Sequence, residues 1–295
     1  MSRIREALTK IEGGNRSTPA SAPVTPRTSH YATARAYEAE RFERTAYAEP
    51  PALAPVYPAP AEEAPYAPAP ATAQPLPGMP LDFHQELAAL RFTLENALPG
   101  RTTRVVQFAA AVSGEGTTSV AANFARVLAQ DPTQNVLVID ANVRRPGLAL
   151  FFGLAETPGL REILETGAQG SALVSETEHS LQSVERPNLH VLTALKAASD
   201  LAQVYSHESL RDFWASVGRH YQWVIVDGAP VIEAPETSIV GGTVDTTVIV
   251  IQAARTKRGV VQRAMERCAK ANAPVLGAVL NRRRLDIPEF IYRRI

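Results

Sequence analysis

Cysteine is nearly absent from this sequence. The one thiol, Cys268, excludes an intramolecular disulfide and any metal site built from several cysteines. The six histidines are scattered, without metal-ligand spacing. No run approaches the roughly 20 apolar residues of a membrane span, and the first residues lack a signal-peptide core. The expectation is therefore a cytoplasmic protein. Neither charge is in excess: 30 Lys and Arg stand against 30 Asp and Glu. The whole chain thus makes no electrostatic case for nucleic acid or a membrane surface. Branched aliphatics are scarce over residues 14–80, where Ala, Pro, Ser, Thr and Glu dominate. Such a stretch cannot bury enough apolar surface to offset its ordering entropy, so it reads as a disordered Pro/Ala-rich linker.

Ahead of the linker, residues 1–13 form a short amphipathic unit. Ile4, Ala7, Leu8 and Ile11 share one helical face, and Gly13 and Gly14 end it. Two readings stay open, a frayed terminal helix or a docking helix on a long leash. The leash carries five of the eight tyrosines, Tyr31, Tyr37, Tyr47, Tyr57 and Tyr66. Compositional drift in a low-complexity linker accounts for them better than a phosphoacceptor role does.

From residue 81 to about 285 the chain turns aliphatic, and it ends in a basic tail over 286–295. A first helix over 81–94 puts Phe83, Leu87, Leu90 and Leu94 on one face, and Pro99-Gly100 closes it. Apolar strands are expected over 105–110, 135–140, 189–193, 223–227, 246–251 and 275–280. Helices are expected over 117–130, around 210–218 and over 259–271. Continuous apolar strands alternating with helices predict a parallel sheet covered on both faces. Ligands bind such a sheet at the carboxyl ends of its strands, where Gly114, Asp140, Asp227 and Asn281 fall.

The chemistry concentrates there. A buried strand, the glycine turn Ser113-Gly-Glu-Gly-Thr-Thr-Ser119 and a helix make the setting in which backbone N–H groups cradle phosphate. Gly114 and Gly116 let the backbone curl close to phosphate oxygens, and Thr118 stands where a hydroxyl reaches Mg²⁺, with Ser119 behind it. The lysine that reaches the terminal phosphates in such loops is missing, and Thr117 takes its place. Two further strands end in Asp140 and Asp227. Each reads as a Mg²⁺-holding carboxylate or, alternatively, as a cap for the following helix. Cys268 within its helix, Trp214 and Trp223 are expected in the core.

The run Val136-Leu-Val-Ile-Asp-Ala-Asn-Val-Arg-Arg-Pro146 resembles the secondary Walker motif of the bacterial tyrosine autokinases of capsule and exopolysaccharide assembly. Residues 113–119 resemble their Pro-Gly-Glu-Gly-Lys-Ser/Thr loop, and Tyr221-Gln-Trp-Val-Ile-Val-Asp-Gly-Ala-Pro230 their Walker B strand. Residues 158–164, 248–259 and 275–281 follow the same pattern, so the resemblance covers about 82–285. The opening, residues 1–8, is similar to exopolysaccharide-locus members. The resemblance implies a P-loop NTPase-like parallel sheet with helices on both faces. It implies ATP or ADP held by Ser113, Gly114, Glu115, Gly116, Thr117, Thr118 and Ser119, with Asn281 on the adenine. Mg²⁺ would be held by Thr118, Asp140 and Asp227, with Asp140 as the catalytic carboxylate.

Departures from that pattern accompany the match. Thr117 replaces the lysine, Ser113 the usual proline, and Asn142 the motif's second acid; Glu236 matches the acid after Walker B. The early helix keeps Arg91 of an oligomerisation pattern, with Gln85 and Ala88 at its other positions, and the tail has one tyrosine, Tyr292. The expectation is a regulatory or scaffold component of polysaccharide synthesis and export with impaired or absent kinase activity. It would be recruited to the inner face of the membrane by a polysaccharide co-polymerase or chain-length regulator, as a homo-oligomer or alone, without nucleic acid. An active tyrosine kinase and a ParA/MinD-like positioning ATPase are the alternatives; in the latter, the missing lysines at Val112 and Thr117 both count against it.

Overall fold

The computed structural model describes residue 76 and residues 78–197 and 204–282. The expected terminal helix, the linker up to residue 75 with its five tyrosines, and the basic tail with Tyr292 lie outside these residues. At the linker's end the expectation of disorder fails, because Leu76 and Met79 are buried in the core.

Helix α1 (Leu81–Ala97) buries His84, Leu87 and Leu94, while Phe83 and Leu90 pack half-buried against the core. A histidine therefore shares the apolar stripe, and its Nε2 meets Gln130 Oε1 at 3.0 Å. The strands are β1 (Arg104–Ala110), β2 (Val136–Asp140), β3 (Gln182–Val184), β4 (Arg186–Leu192), β5 (Trp223–Asp227), β6 (Thr246–Gln252) and β7 (Val275–Asn281), all but β3 where the sequence predicts them. Helices α2 (Thr117–Leu128), α3 (Leu148–Phe152), α4 (Leu160–Glu165), α5 (Gly170–Ser180), α6 (His207–Val217), α7 (Pro235–Gly241) and α8 (Arg258–Lys270) connect them.

The seven strands form one sheet in the order β3-β4-β2-β5-β1-β6-β7. All pairings are parallel except β3 with β4, which is antiparallel. Sequence reading anticipated neither β3 nor α7. Both are short, and neither carries an apolar periodicity that would announce it.

Alternate residues explain the continuous apolar runs, because both sheet faces are covered. Val106, Phe108, Val136, Val138, Trp223 and Ile225 point into the core under α1 and α2. Their neighbours Val105, Leu137, Ile139, Val224 and Val226 point into the opposite core with Leu160 and Phe213. Phe124 of α2 lies between Phe108 and Trp223, with ring centroids 5.4 and 6.0 Å away. Both expected core tryptophans and Cys268 are buried. No helix among the described residues is long and apolar enough to cross a membrane.

Strand order sets the site. Placing β5 between β1 and β2 brings the loop after β1 beside the ends of β5 and β2, where Asp140 and Asp227 are direct register partners.

Candidate nucleotide site at the carboxyl ends of the strands

The loop after β1 turns through two left-handed glycines, Gly114 at φ +86° and Gly116 at φ +89°. The left-handed backbone at Gly116 favours glycine, and a Cβ there would lie 2.3 Å from Asn281 Nδ2 and displace that amide from the loop. Gly116 leads into α2, whose first residues present their N–H groups toward the loop. Thr117 is 8% exposed, and Ser119 lies on the solvent side of the same turn.

Glu115 turns its side chain away from the loop's mouth. Its carboxylate accepts the Val112 N–H at 3.0 Å, the Gln252 N–H at 3.2 Å and the Thr256 hydroxyl. Two residues at the end of β7 hold the loop's outward carbonyls. Asn281 Nδ2 donates to Glu115 O at 2.7 Å, and Arg282 Nη1 donates to Gly114 O at 3.0 Å. With these carbonyls engaged outside, the loop is preorganised. Asn281 therefore sits beside the loop as the sequence places it, and its amide is bonded to the loop backbone.

Asp140 and Asp227 are fully buried side by side. Asp140 Oδ1 accepts the Asn142 N–H at 3.1 Å, and Oδ2 accepts the N–H groups of Gly147 at 2.8 Å and Leu148 at 3.0 Å. It thus caps the turn into α3, the structural role open to a strand-terminal aspartate. Burial outweighs these donors and pushes its carboxyl up to about 6. Asp227 has less support: neither carboxylate oxygen accepts a well-formed hydrogen bond among the described residues, and the Thr118 hydroxyl is the donor beside it. Burial first, then the charge of Asp140, raises it well above the usual carboxylate range, and the Thr118 hydroxyl beside it pulls the other way. A fully buried carboxylate next to a second carboxylate and a hydroxyl is an uncompensated charge unless it is protonated or meets a cation. The three oxygen donors are hard ligands of the kind Mg²⁺ takes. Among the described residues no group of three or more His, Cys, Asp or Glu is placed to hold a metal.

Arg144 and Arg145, the two arginines that follow the end of β2, are engaged elsewhere. Arg144 Nε pairs with the buried carboxylate of Glu236 at 2.8 Å. Arg145 lies near Glu233 and helps hold that carboxyl low. Asn142 folds into a local turn, its Oδ1 accepting the Arg145 N–H at 3.3 Å. Sequence reading missed Glu233, whose carboxylate takes both the Ser113 N–H at 2.8 Å and the Ser113 hydroxyl at 2.6 Å. No local signal marks a contact across 120 residues. It also missed Tyr205, a buried tyrosine whose hydroxyl is unpartnered among the described residues. Glu162, Glu236 and Asp140 act on it together with burial, which keeps the phenol protonated.

No family model matches the sequence. Individual relatives do. The chain is 29% identical over 202 residues to the tyrosine-protein kinase YwqD of Bacillus subtilis, covering 68% of this chain and 82% of that one. Over about two thirds of its length the chain is similar to bacterial tyrosine kinases. It is also 26% identical over 203 residues to the succinoglycan biosynthesis transport protein ExoP of Rhizobium meliloti, of which it spans 25%. It therefore matches most of a short family member and about a quarter of a long one. The kinase domain of the Escherichia coli tyrosine kinase ETK superposes with a TM-score of 0.59 at 24% identity, over 70% of this chain and 79% of that one. That likeness is one of fold.

Proposed function

We propose that this chain is a kinase-family component of exopolysaccharide or capsule synthesis and export that binds nucleotide as a regulator or scaffold and transfers phosphate poorly or not at all. The observation that carries the proposal is Thr117. It stands, buried, where the family's loop has a lysine, and Arg144 beside the site is paired with Glu236. Phosphoryl transfer depends on positioning and charge neutralisation, and loss of one preorganised stabiliser typically costs roughly 10²–10³ in rate. Asn142 in place of the second acid removes a further group.

Binding has more support than turnover. The loop keeps both left-handed glycines and the N-terminus of α2, a setting that suits a diphosphate. Ser113, Gly114, Glu115, Gly116, Thr117, Thr118 and Ser119 would line the phosphates, with Asn281 at the rim. Thr118, Asp140 and Asp227 would hold Mg²⁺, which supplies charge neutralisation between phosphate oxygens when bound. ExoP's name ties that relative to succinoglycan biosynthesis and transport, and the resemblance of residues 1–8 to exopolysaccharide-locus proteins points the same way. A cytoplasmic position at a membrane-embedded co-polymerase, with homo-oligomers, fits this role. The terminal segment 1–13 would be the docking helix, 14–80 the leash and 81–285 the nucleotide domain.

The test is a titration of the full chain with a fluorescent ATP analogue, with and without Mg²⁺, beside a Gly116→Trp control. A parallel assay follows tyrosine phosphorylation with ATP. Saturable binding lost in the control, without phosphotyrosine, is the expected result. Rapid autophosphorylation on tyrosine overturns the impaired-kinase part, and absence of binding at millimolar nucleotide overturns the nucleotide part.

A further inference from the structure

The segment after Asp227 is fastened to the end of β1 and then to the start of the phosphate loop. Gly228 N–H donates to Phe108 O at 2.8 Å, Val231 N–H to Ala110 O at 2.8 Å, and Ile232 N–H to Ala111 O at 3.3 Å. Glu233 completes the series, with both of its carboxylate oxygens taken by Ser113. A turn closed by the Glu233 N–H on Pro230 O at 3.0 Å aims the side chain at the loop. The bidentate contact needs a residue with both an N–H and a hydroxyl at position 113. A proline there, as in the family's loop, offers neither donor.

In nucleotide switches, the segment following the metal-holding aspartate is the part that a terminal phosphate draws onto the loop and orders. Here a side chain of the chain itself makes that connection. It brings a negative charge to a loop that already lacks its lysine. We propose that Glu233 is a built-in anion that stands in for a terminal phosphate, latching segment 228–233 to the phosphate loop and making the site select nucleoside diphosphates over triphosphates. The proposal rests on the nucleotide-binding reading of the loop. A diphosphate uses the donors at the N-terminus of α2 and leaves the latch alone. A third phosphate brings its charge against the Glu233 carboxylate and must displace it from Ser113.

The charge argument sets the scale. A like charge held within a few ångströms in a partly solvated site is worth at least about 1.4 kcal/mol, which is tenfold in affinity. Wild-type full chain should bind Mg-ADP at least about tenfold more tightly than Mg-ATP.

The experiment is titration calorimetry of wild type, Glu233→Ala and Glu233→Gln with each nucleotide, with thermal midpoints measured alongside. Glu233→Ala should bring the ADP-to-ATP affinity ratio close to one by strengthening ATP binding, with ADP little changed. Glu233→Gln keeps the shape, loses the charge and should recover most of that gain; it also serves if the alanine variant folds poorly. If wild type binds nucleotide and neither variant shifts the ratio, the latch is overturned while the nucleotide site stands. If no protein binds either nucleotide at millimolar concentration, the underlying reading fails and the discrimination falls with it.

Discussion

Replacing Asp227 with asparagine should stabilise the protein without Mg²⁺ at neutral pH, although it alters a candidate metal ligand. Asp227 and Asp140 are register partners at the ends of β5 and β2, both fully buried. Three backbone N–H groups serve Asp140, and even so its carboxyl lies at about 6, against an ordinary 3.8. That difference corresponds to about 3 kcal/mol of cost for ionising Asp140 at neutral pH. Asp227, with no backbone donor and only the Thr118 hydroxyl beside it, is raised as well. Where a folded carboxyl lies above its unfolded value, the native state binds the extra proton. Stability is then greatest below the unfolded value and falls as pH rises through the folded one. Wild type should therefore lose stability from about pH 4 to above pH 6.

Asp227→Asn removes one of the two charges and the repulsion on the other. It should gain about 1–3 kcal/mol at pH 8, at about 2–4 °C in midpoint per kcal/mol for a domain of this size. Thermal and urea unfolding at pH 5 and pH 8, with and without Mg²⁺, measure this. Mg²⁺ should stabilise wild type at pH 8, more weakly at pH 5, and have little effect on the variant. A variant that is less stable than wild type at pH 8, with an unchanged pH slope, would falsify the account of an uncompensated carboxylate pair.

Three other outcomes are expected. Gly116→Ala should abolish nucleotide binding and cost roughly 1–2 kcal/mol, because the added Cβ meets the Asn281 amide in a left-handed backbone; nucleotide titration with a thermal melt checks it. Thr117→Lys should raise nucleotide affinity by about tenfold or more through a charge-assisted phosphate contact. It should leave tyrosine phosphorylation low until Asn142→Asp is added, so strong phosphorylation of the single variant would contradict the role assigned to Asn142. Glu115→Gln weakens the bonds to Val112, Gln252 and Thr256 and should cost roughly 1–3 kcal/mol. Faster amide exchange at Val112 and Gln252 would accompany that loss, and unchanged exchange would count against the pinning role.

The core strands and the longer helices could be read from the sequence because their causes are local. Val136–Asp140 and Trp223–Asp227 are continuous apolar runs, and that pattern follows from burial on both faces. The glycines at 114 and 116 announced a backbone that only glycine adopts easily, and the loop between strand and helix announced phosphate. The placement of Thr117 in the lysine's position was equally plain. The short β3 and α7 were not, since three and seven residues carry too little periodicity to stand out.

What the tertiary structure alone decided is who meets whom. Strand order set Asp140 against Asp227 and gave only the first backbone donors, so two similar strand-terminal aspartates became a cap and a poorly supported carboxylate. It turned Glu115 away from the loop's mouth and onto Gln252 and Thr256, and it brought Glu233 to Ser113. Side-chain type and spacing govern a segment's own conformation, since those forces act within a few residues. The pairing of residues more than a hundred positions apart depends on how crossovers order the strands, and no short stretch of sequence contains that information.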